Sequence, residues 1–209
     1  MSIFQQYSKF FNKTLSMKKT ILLFSLFFKL FIFSYSLECE TVNNEIVTLN
    51  LCEESDLIAC RTIFIEAFTK AYENFSKEQL GVKDKIQFLE EAFEDVRDDL
   101  KDSLQKLVVA KINGKVIGFV GFKKTDNAGE IYISQLAVEP HSWQQGIGKH
   151  LVFSVFDVYK DVKSLVVIPR KINEVARNFY SRLGFKESTY MHPGYDPQKY
   201  IGYELILNQ

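Results

Sequence analysis

The chain lacks a charge imbalance: its 26 Lys and Arg are matched by 26 Asp and Glu. That composition gives no indication of a nucleic-acid surface, which needs a basic patch or stripe. It has only three cysteines, Cys39, Cys52 and Cys60, an odd number without metal-binding spacing. A disulfide framework and a cysteine-based zinc site are therefore excluded, no metal is expected, and Cys52 and Cys60 read as buried or half-buried thiols. Internal repeats and low-complexity tracts are missing, so a solenoid or a compositional linker architecture is excluded. No apolar run reaches the ~20 residues of a spanning helix, because Lys29 splits the longest one.

What is present divides the chain in two. The first 45 residues hold 8 of the 19 Phe residues, which sets this segment apart from the rest. Met17-Lys18-Lys19 followed by the apolar run Thr20 to Phe28 looks like a secretory signal, and Ser34-Tyr35-Ser36 supplies small residues for a cut before Leu37. The expected organisation is an N-terminal extension at 1–37 with a signal-like or anchor segment, a linker at 38–45, and a folded domain at 46–209. The same features predict export or membrane association through residues 17–37, with the domain on the outer side because the lysines precede the apolar run. The alternative keeps the chain cytoplasmic.

From Ile46 the apolar periodicity switches between strand and helix, the mark of a mixed α/β (α+β) domain. Ile46 to Leu51 reads as a strand. Asp56 stands at the start of a helix with Ile58, Ile63, Phe64, Ala67, Phe68 and Ala71 on its apolar face. A second helix places Phe88, Leu89, Ala92, Phe93, Val96, Leu100 and Leu104 on one stripe and a solvated acidic face opposite, with Glu90, Glu91, Glu94, Asp95, Asp98 and Asp99. Lys106 to Phe122 is a β-hairpin turned by Asn113-Gly114, the pair that a type I′ turn needs. A strand from Ile131 to Val138 follows, then a helix carrying Ile147, Leu151, Val152, Val155 and Val158. Ser164 to Ile168 is a continuous apolar run, as in a fully buried strand. A last helix through Val175, Ala176, Phe179, Tyr180 and Leu183 stops at Gly184, and strands at Phe185 to Tyr190 and Tyr200 to Leu207 close the domain.

The segment Val138 to Leu151 carries the chemistry. A strand runs into a glycine-bearing turn and a helix begins there, leaving the first backbone N–H groups of that helix without partners. Gly146 and Gly148 remove the Cβ atoms that would hold a ligand away, so the turn reads as an anion site, most often for phosphate. Two motifs then resemble the GNAT superfamily of N-acetyltransferases. Leu136-Ala137-Val138-Glu139-Pro140 leading to Gln144-Gln145-Gly146-Ile147-Gly148 is similar to the family's acetyl-CoA pyrophosphate motif. Asn173-Glu174-Val175-Ala176-Arg177-Asn178-Phe179-Tyr180-Ser181-Arg182-Leu183-Gly184-Phe185 is similar to its Asn-x-x-Ala-x-x-Phe-Tyr-x-x-x-Gly-Phe signature. One position departs: where the family usually has Arg or Gln, three residues before the first glycine, this chain has Trp143.

The resemblance, which covers about residues 46–209, implies a GNAT-like, mostly antiparallel twisted sheet flanked by helices, with acetyl-CoA as co-substrate. It implies that the backbone N–H groups of Gln145, Gly146, Ile147, Gly148, Lys149 and His150 hold the pyrophosphate. Leu136, Ala137 and Val138 would pair with the pantetheine arm like an added strand. Tyr180 would contact the cofactor and protonate the departing thiolate. Asn173 would cap the last helix while facing the cofactor. The family's frequent Glu, five residues ahead of Asn173, is Ile168 here, so that base is missing. Glu130, opening the strand that leads to the turn, is the candidate base through water, with His192 and Asp196 as further candidates. Tyr132 and Ser134 share a strand face suited to an acceptor cleft, and Glu66 is placed to meet a cationic acceptor. The expected activity is transfer of acetyl to a primary amine of a small molecule or protein. The alternative is an acyl-CoA-binding module of the same fold without turnover.

Overall fold

The computed structural model describes residues 37–40, 46–99, 101, 102 and 104–207. The signal-like features at 17–36 lie outside the described residues. Among those described, no helix is long and apolar enough to cross a membrane, and the expectation of export or membrane association through residues 17–37 is withdrawn on that finding. Leu37, expected at the end of the extension, and the first residues of the expected linker instead form a strand, β1 (Leu37–Glu40). It pairs antiparallel with β2 (Ile46–Leu51), Leu37 opposite Leu49 and Glu40 opposite Ile46.

The helices and strands follow the apolar periods closely. Helices α1 (Leu57–Ala71), α2 (Lys77–Leu80) and α3 (Lys85–Asp99) precede the hairpin β3 (Gln105–Ile112) and β4 (Lys115–Lys124). At the hairpin turn Asn113 and Gly114 have φ of 49° and 79°, the left-handed pair that the Asn-Gly sequence requires. Strand β5 (Glu130–Val138) leads through a single helical turn at Pro140–Ser142 to α4 (Ile147–Phe153) and α5 (Val155–Val158). Then come β6 (Ser164–Val167), α6 (Glu174–Arg182), β7 (Lys186–Ser188) and β8 (Gly202–Ile206). Three expected apolar positions fall outside the core: Ile58, Leu104 and Val175 are 82%, 63% and 48% exposed, because α1 turns its Cys60–Phe64–Ala67 face inward, α3 ends before residue 104 and the last helix packs through Ala176, Phe179 and Tyr180.

Among the described residues these strands form one eight-stranded sheet, in the order β1-β2-β3-β4-β5-β6-β8-β7. Every neighbouring pair is antiparallel except β5 and β6. The alternation of side chains across a strand gives the sheet two apolar faces, each needing cover. On one face α1 and α3 bring Phe64, Leu89 and Phe93 onto Val109, Phe119 and Ala137. On the other, α4 and α5 bring Ile147, Leu151, Val152 and Val155 onto Val120, Phe122 and Ile133. Each such fully buried side chain contributes about 1.5–3 kcal/mol relative to exposure, which is what orients the helices. The start of α1 is tied to β3 by Asp56, whose buried carboxylate lies 2.7 Å from Lys111 Nζ.

Strand β8 enters between β6 and β7 through a tight approach at Gly202. A Cβ there would stand 2.1 Å from the Tyr190 carbonyl oxygen and 3.0 Å from that of Ser188, both backbone atoms that cannot rotate aside. Gly202→Ala is expected to destabilise the protein by about 1–3 kcal/mol, the usual range for forcing an atom into a packed site. Thermal unfolding reads this as a midpoint lowered by roughly 2–4 °C for each kcal/mol. An unchanged midpoint would count against so rigid a β7–β8 pairing.

Candidate functional site

The site begins where the parallel pair stops. β5 and β6 pair only through Glu130, Ile131 and Tyr132 opposite Ser164, Leu165 and Val166. Further along, β5 pairs with β4 alone, and its register shifts there: Gly121 faces Gln135, Phe122 faces Ile133, and Ser134 is the extra residue of a β-bulge. The bulge also switches sides, since Ile131 and Ile133 before it and Leu136 and Val138 after it pack on the same core face. A Cβ on Gly121 would come within 2.4 Å of Ser134 Oγ, so the missing side chain makes room for the bulge. Between the separated strands lies a cavity of about 960 Å³, bounded by Tyr132 to Val138 on one side and Val167 to Arg170 with Asn173 and Tyr180 on the other.

The pairing pattern decides which backbone groups face this gap. Glu139 N–H donates to the Ile117 carbonyl at 2.8 Å, so every second residue back along β5 turns its N–H and C=O toward β4. Ala137 is therefore spent on the sheet, and Leu136 and Val138 turn theirs toward the cavity. The Val138 carbonyl accepts the Trp143 indole N–H at 2.6 Å. Trp143 thus pins the turn to the end of β5, a structural role in place of the family's polar side chain.

At the turn Gln144 and Gly146 adopt φ of 62° and 83°, and α4 starts at Ile147. The N–H groups of Ile147, Gly148 and Lys149 find no backbone acceptor among the described residues, as expected for the first turn of a helix. His150 does not belong with them: its N–H donates to the Gly146 carbonyl at 3.1 Å. Gln145 and His150 are also absent from the cavity wall, whereas Gly146, Ile147, Gly148 and Lys149 line it. The Gln145 side chain reaches back to the His141 carbonyl at 3.2 Å. Partial burial and the neighbouring Lys149 hold the His150 imidazole below its ordinary value.

Tyr180 lines the cavity from α6 and is 4% exposed, packed edge-on against Phe179 and Phe185. Burial pushes its phenol up, so it is a protonated donor at neutral pH. Asn173 does two things at once, capping α6 by accepting the Ala176 N–H at 3.0 Å and lining the cavity. Tyr132 and Ser134 both line the cavity. The Tyr132 hydroxyl lies 3.1 Å from that of Tyr195, which the loop before β8 carries over the cleft with Gly194.

The proposed bases fare differently. Glu130 sits at the far end of β5 and does not line the cavity; its Oε1 accepts from Thr125 Oγ1 at 2.7 Å and Asn127 Nδ2 at 3.0 Å, closing the turn before the strand. His192 Nδ1 accepts the Gly194 N–H at 3.4 Å and Asp196 Oδ1 the Gln198 N–H at 2.9 Å, so both shape their own loop. Glu66 is exposed on α1, away from the cavity. The carboxylates that do line it are Glu91 and Asp95, from the face of α3 that reads as merely solvated. Two further residues escaped sequence reasoning: Tyr195, from the turn-rich loop, and Arg170, a buried cation directly after the apolar run of β6. Among the described residues no group of three His, Cys, Asp or Glu is placed to hold a metal.

A family model described as the acetyltransferase (GNAT) family matches residues 49–185, more than half of the chain, and the chain belongs to that family. A curated relative, UPF0157 protein YqkA of Bacillus subtilis (strain 168), is 29% identical over 90 residues, 43% of this chain and 26% of that protein. The match thus spans about a quarter of that relative's length. Among solved structures, the PaiA N-acetyltransferase from Thermoplasma acidophilum in complex with coenzyme A aligns with a TM-score of 0.63 at 18% identity, covering 77% of this chain and 99% of that one. An acetyltransferase from Thermus thermophilus aligns with a TM-score of 0.58 at 16% identity, covering 76% and 97%. Both share the fold.

The buried phenols of the cleft make a pH prediction. Burial pushes Tyr72, Tyr132 and Tyr180 up, Tyr72 to about 12. The folded state keeps these protons where the unfolded chain, with a tyrosine pKa of about 10, gives them up. Their contribution is complete below about pH 10 and declines as pH rises above it, that of Tyr72 being lost by about pH 12, at about 1.4 kcal/mol per pH unit for each phenol that only the unfolded chain has ionised. Denaturant unfolding from neutral to strongly alkaline pH checks this; stability that stays level above about pH 10 would contradict it.

Proposed function

We propose that the cleft binds acetyl-CoA and that the chain transfers its acetyl group to a primary amine of a small molecule or protein, residues 46–209 being the transferase domain. The observation that carries this reading is the juxtaposition of three acceptorless N–H groups at Ile147, Gly148 and Lys149 with an opened strand edge and a buried neutral phenol in one cavity. The residues fit the coenzyme. Oriented N–H groups at the positive end of α4 suit a diphosphate. The outward N–H and C=O of Leu136 and the outward N–H of Val138 suit an amide-bearing arm laid alongside β5. Gly148 lets the start of α4 sit against α6, since a Cβ there would press to 3.1 Å from the Phe179 ring.

Acetyl-CoA, when bound, supplies an acetyl group activated as a thioester. Tyr180 holds a proton at its phenol oxygen for the departing sulfur, and its burial keeps that proton in place at neutral pH. With Glu130 engaged in its turn, no carboxylate of the expected set stands ready to deprotonate the amine. In this reading the amine arrives neutral or loses its proton to water in the cleft.

Acyl-CoA binding is the part that family membership, and the relative solved with coenzyme A, support most directly. A second reading stops there, with the fold holding an acyl-CoA without turnover, and the position of Glu130 favours it. Thiol release from acetyl-CoA on mixing with a panel of amines separates the two. Release with at least one amine supports transfer; coenzyme binding without release from any amine supports the binding module. Under the transfer reading, Tyr180→Phe should lower kcat by about 10²–10⁴-fold, the usual share of a general acid. A variant with unaltered kcat would remove Tyr180 from the chemistry. Gly148→Val should weaken acetyl-CoA binding by about 10–100-fold, because its side chain, crowded against Phe179, shifts the backbone N–H away from the diphosphate and costs about one hydrogen bond to a charged group. Calorimetric titration measures this, and an undiminished affinity would move the diphosphate site elsewhere.

A further inference from the structure

We propose that Arg170 recognises a carboxylate on the acceptor, so that the amine substrate is an amino acid or a peptide with an acidic residue beside its reactive amine. This rests on the transfer reading above. Arg170 follows the buried strand β6 and Pro169 and forms a β-bridge with Tyr200, so its backbone is fixed between β6 and β8. Its side chain is 8% exposed and lines the main cavity. One guanidinium nitrogen, Nη2, donates to the Leu80 carbonyl. Nε and Nη1 are buried and have no hydrogen-bond partner among the described residues, and no carboxylate there forms an ion pair with the group.

A buried charge without a counterion is costly, and native structures seldom keep one without a use. The aromatic rings of Phe88 and Tyr200, 5.2 and 5.6 Å from the guanidinium carbon, offset part of that cost. Rings attract a cation without accepting its in-plane N–H bonds, so those donors are left for an anion. Arginine donors of this kind favour carboxylates by charge-assisted hydrogen bonds. Arg170 also borders a smaller recess of about 240 Å³ lined by Lys171, Lys199 and Glu78, where positive charge is in excess. The acidic residues of the main cavity, Glu91 and Asp95, are exposed on α3, where water screens them.

The test uses the full chain and matched acceptors: an amino acid against its carboxamide, and a peptide with Glu next to its free amine against the Gln peptide. Thiol release gives kcat/KM, and calorimetric titration of the coenzyme-A-loaded protein gives affinity without turnover. The carboxylate member of at least one pair should be preferred by about ten-fold or more, the scale of a charged hydrogen bond. The amino-acid and peptide pairs tell the two sources apart. Arg170→Gln should erase the preference and Arg170→Lys should keep part of it, with acetyl-CoA affinity as the control for folding. Should Arg170→Gln not fold, Arg170→Lys with a reduced preference serves in its place. Equal treatment of acid and amide by the wild-type protein in both measurements, or an undiminished preference in the variants, overturns the assignment. Arg170-dependent carboxylate binding without turnover of any amine would instead sink the transfer reading and leave the Arg170 site standing.

Discussion

The parallel pairing of β5 with β6 runs for three residues and then ends, and the rest of the molecule is arranged around that short seam. It joins the antiparallel half made of β1 to β5 to the half made of β6 to β8. Longer pairing would close the gap; less would let the halves drift apart. The bulge at Ser134 turns β5 away from β6, and the missing side chain at Gly121 gives that bulge room. Because backbone amides at the opened edge must find partners, a gap in a sheet is a site for a ligand with amides of its own.

Along the cleft the chemistry changes in character. At the start of α4 the donors are backbone N–H groups held by a rigid turn, which Trp143 fastens to the end of β5. In the aromatic middle, Tyr180 and Tyr132 are kept neutral because burial disfavours the phenolate. Near α2 and β8 the charge sits on Arg170, shielded from water by Phe88 and Tyr200. Each zone uses burial in a different way, to leave donors without competitors, to retain a proton, or to sharpen a charge.

Much of this was legible in the chain. The Asn113-Gly114 hairpin, the strand–glycine turn–helix unit at Val138 to Leu151 and the Asn173 to Phe185 helix all depend on neighbours in sequence, and all form. Glu130 shows the limit. Its place on the strand made it a candidate base, but Thr125 and Asn127, brought round by the turn, claim its carboxylate. His150 shows a finer one, for whether its N–H is available depends on the residue at which the helix begins. The switch of faces at Ser134 was hidden because a bulge arises from a mismatch with the partner strand, which the chain does not display.

By itself the sequence determined most of the elements and the glycine turn, β1 and α2 being exceptions, because helix and strand periods, turn residues and caps act over a few residues. Only the tertiary structure decided that β8 inserts between β6 and β7, that β5 parts from β6 after Tyr132, and that Arg170 meets Leu80, Phe88 and Tyr200. Those contacts join residues far apart in the chain. Burial, lost hydrogen-bond partners and the resulting charge environment belong to the packed assembly, not to any one segment of it.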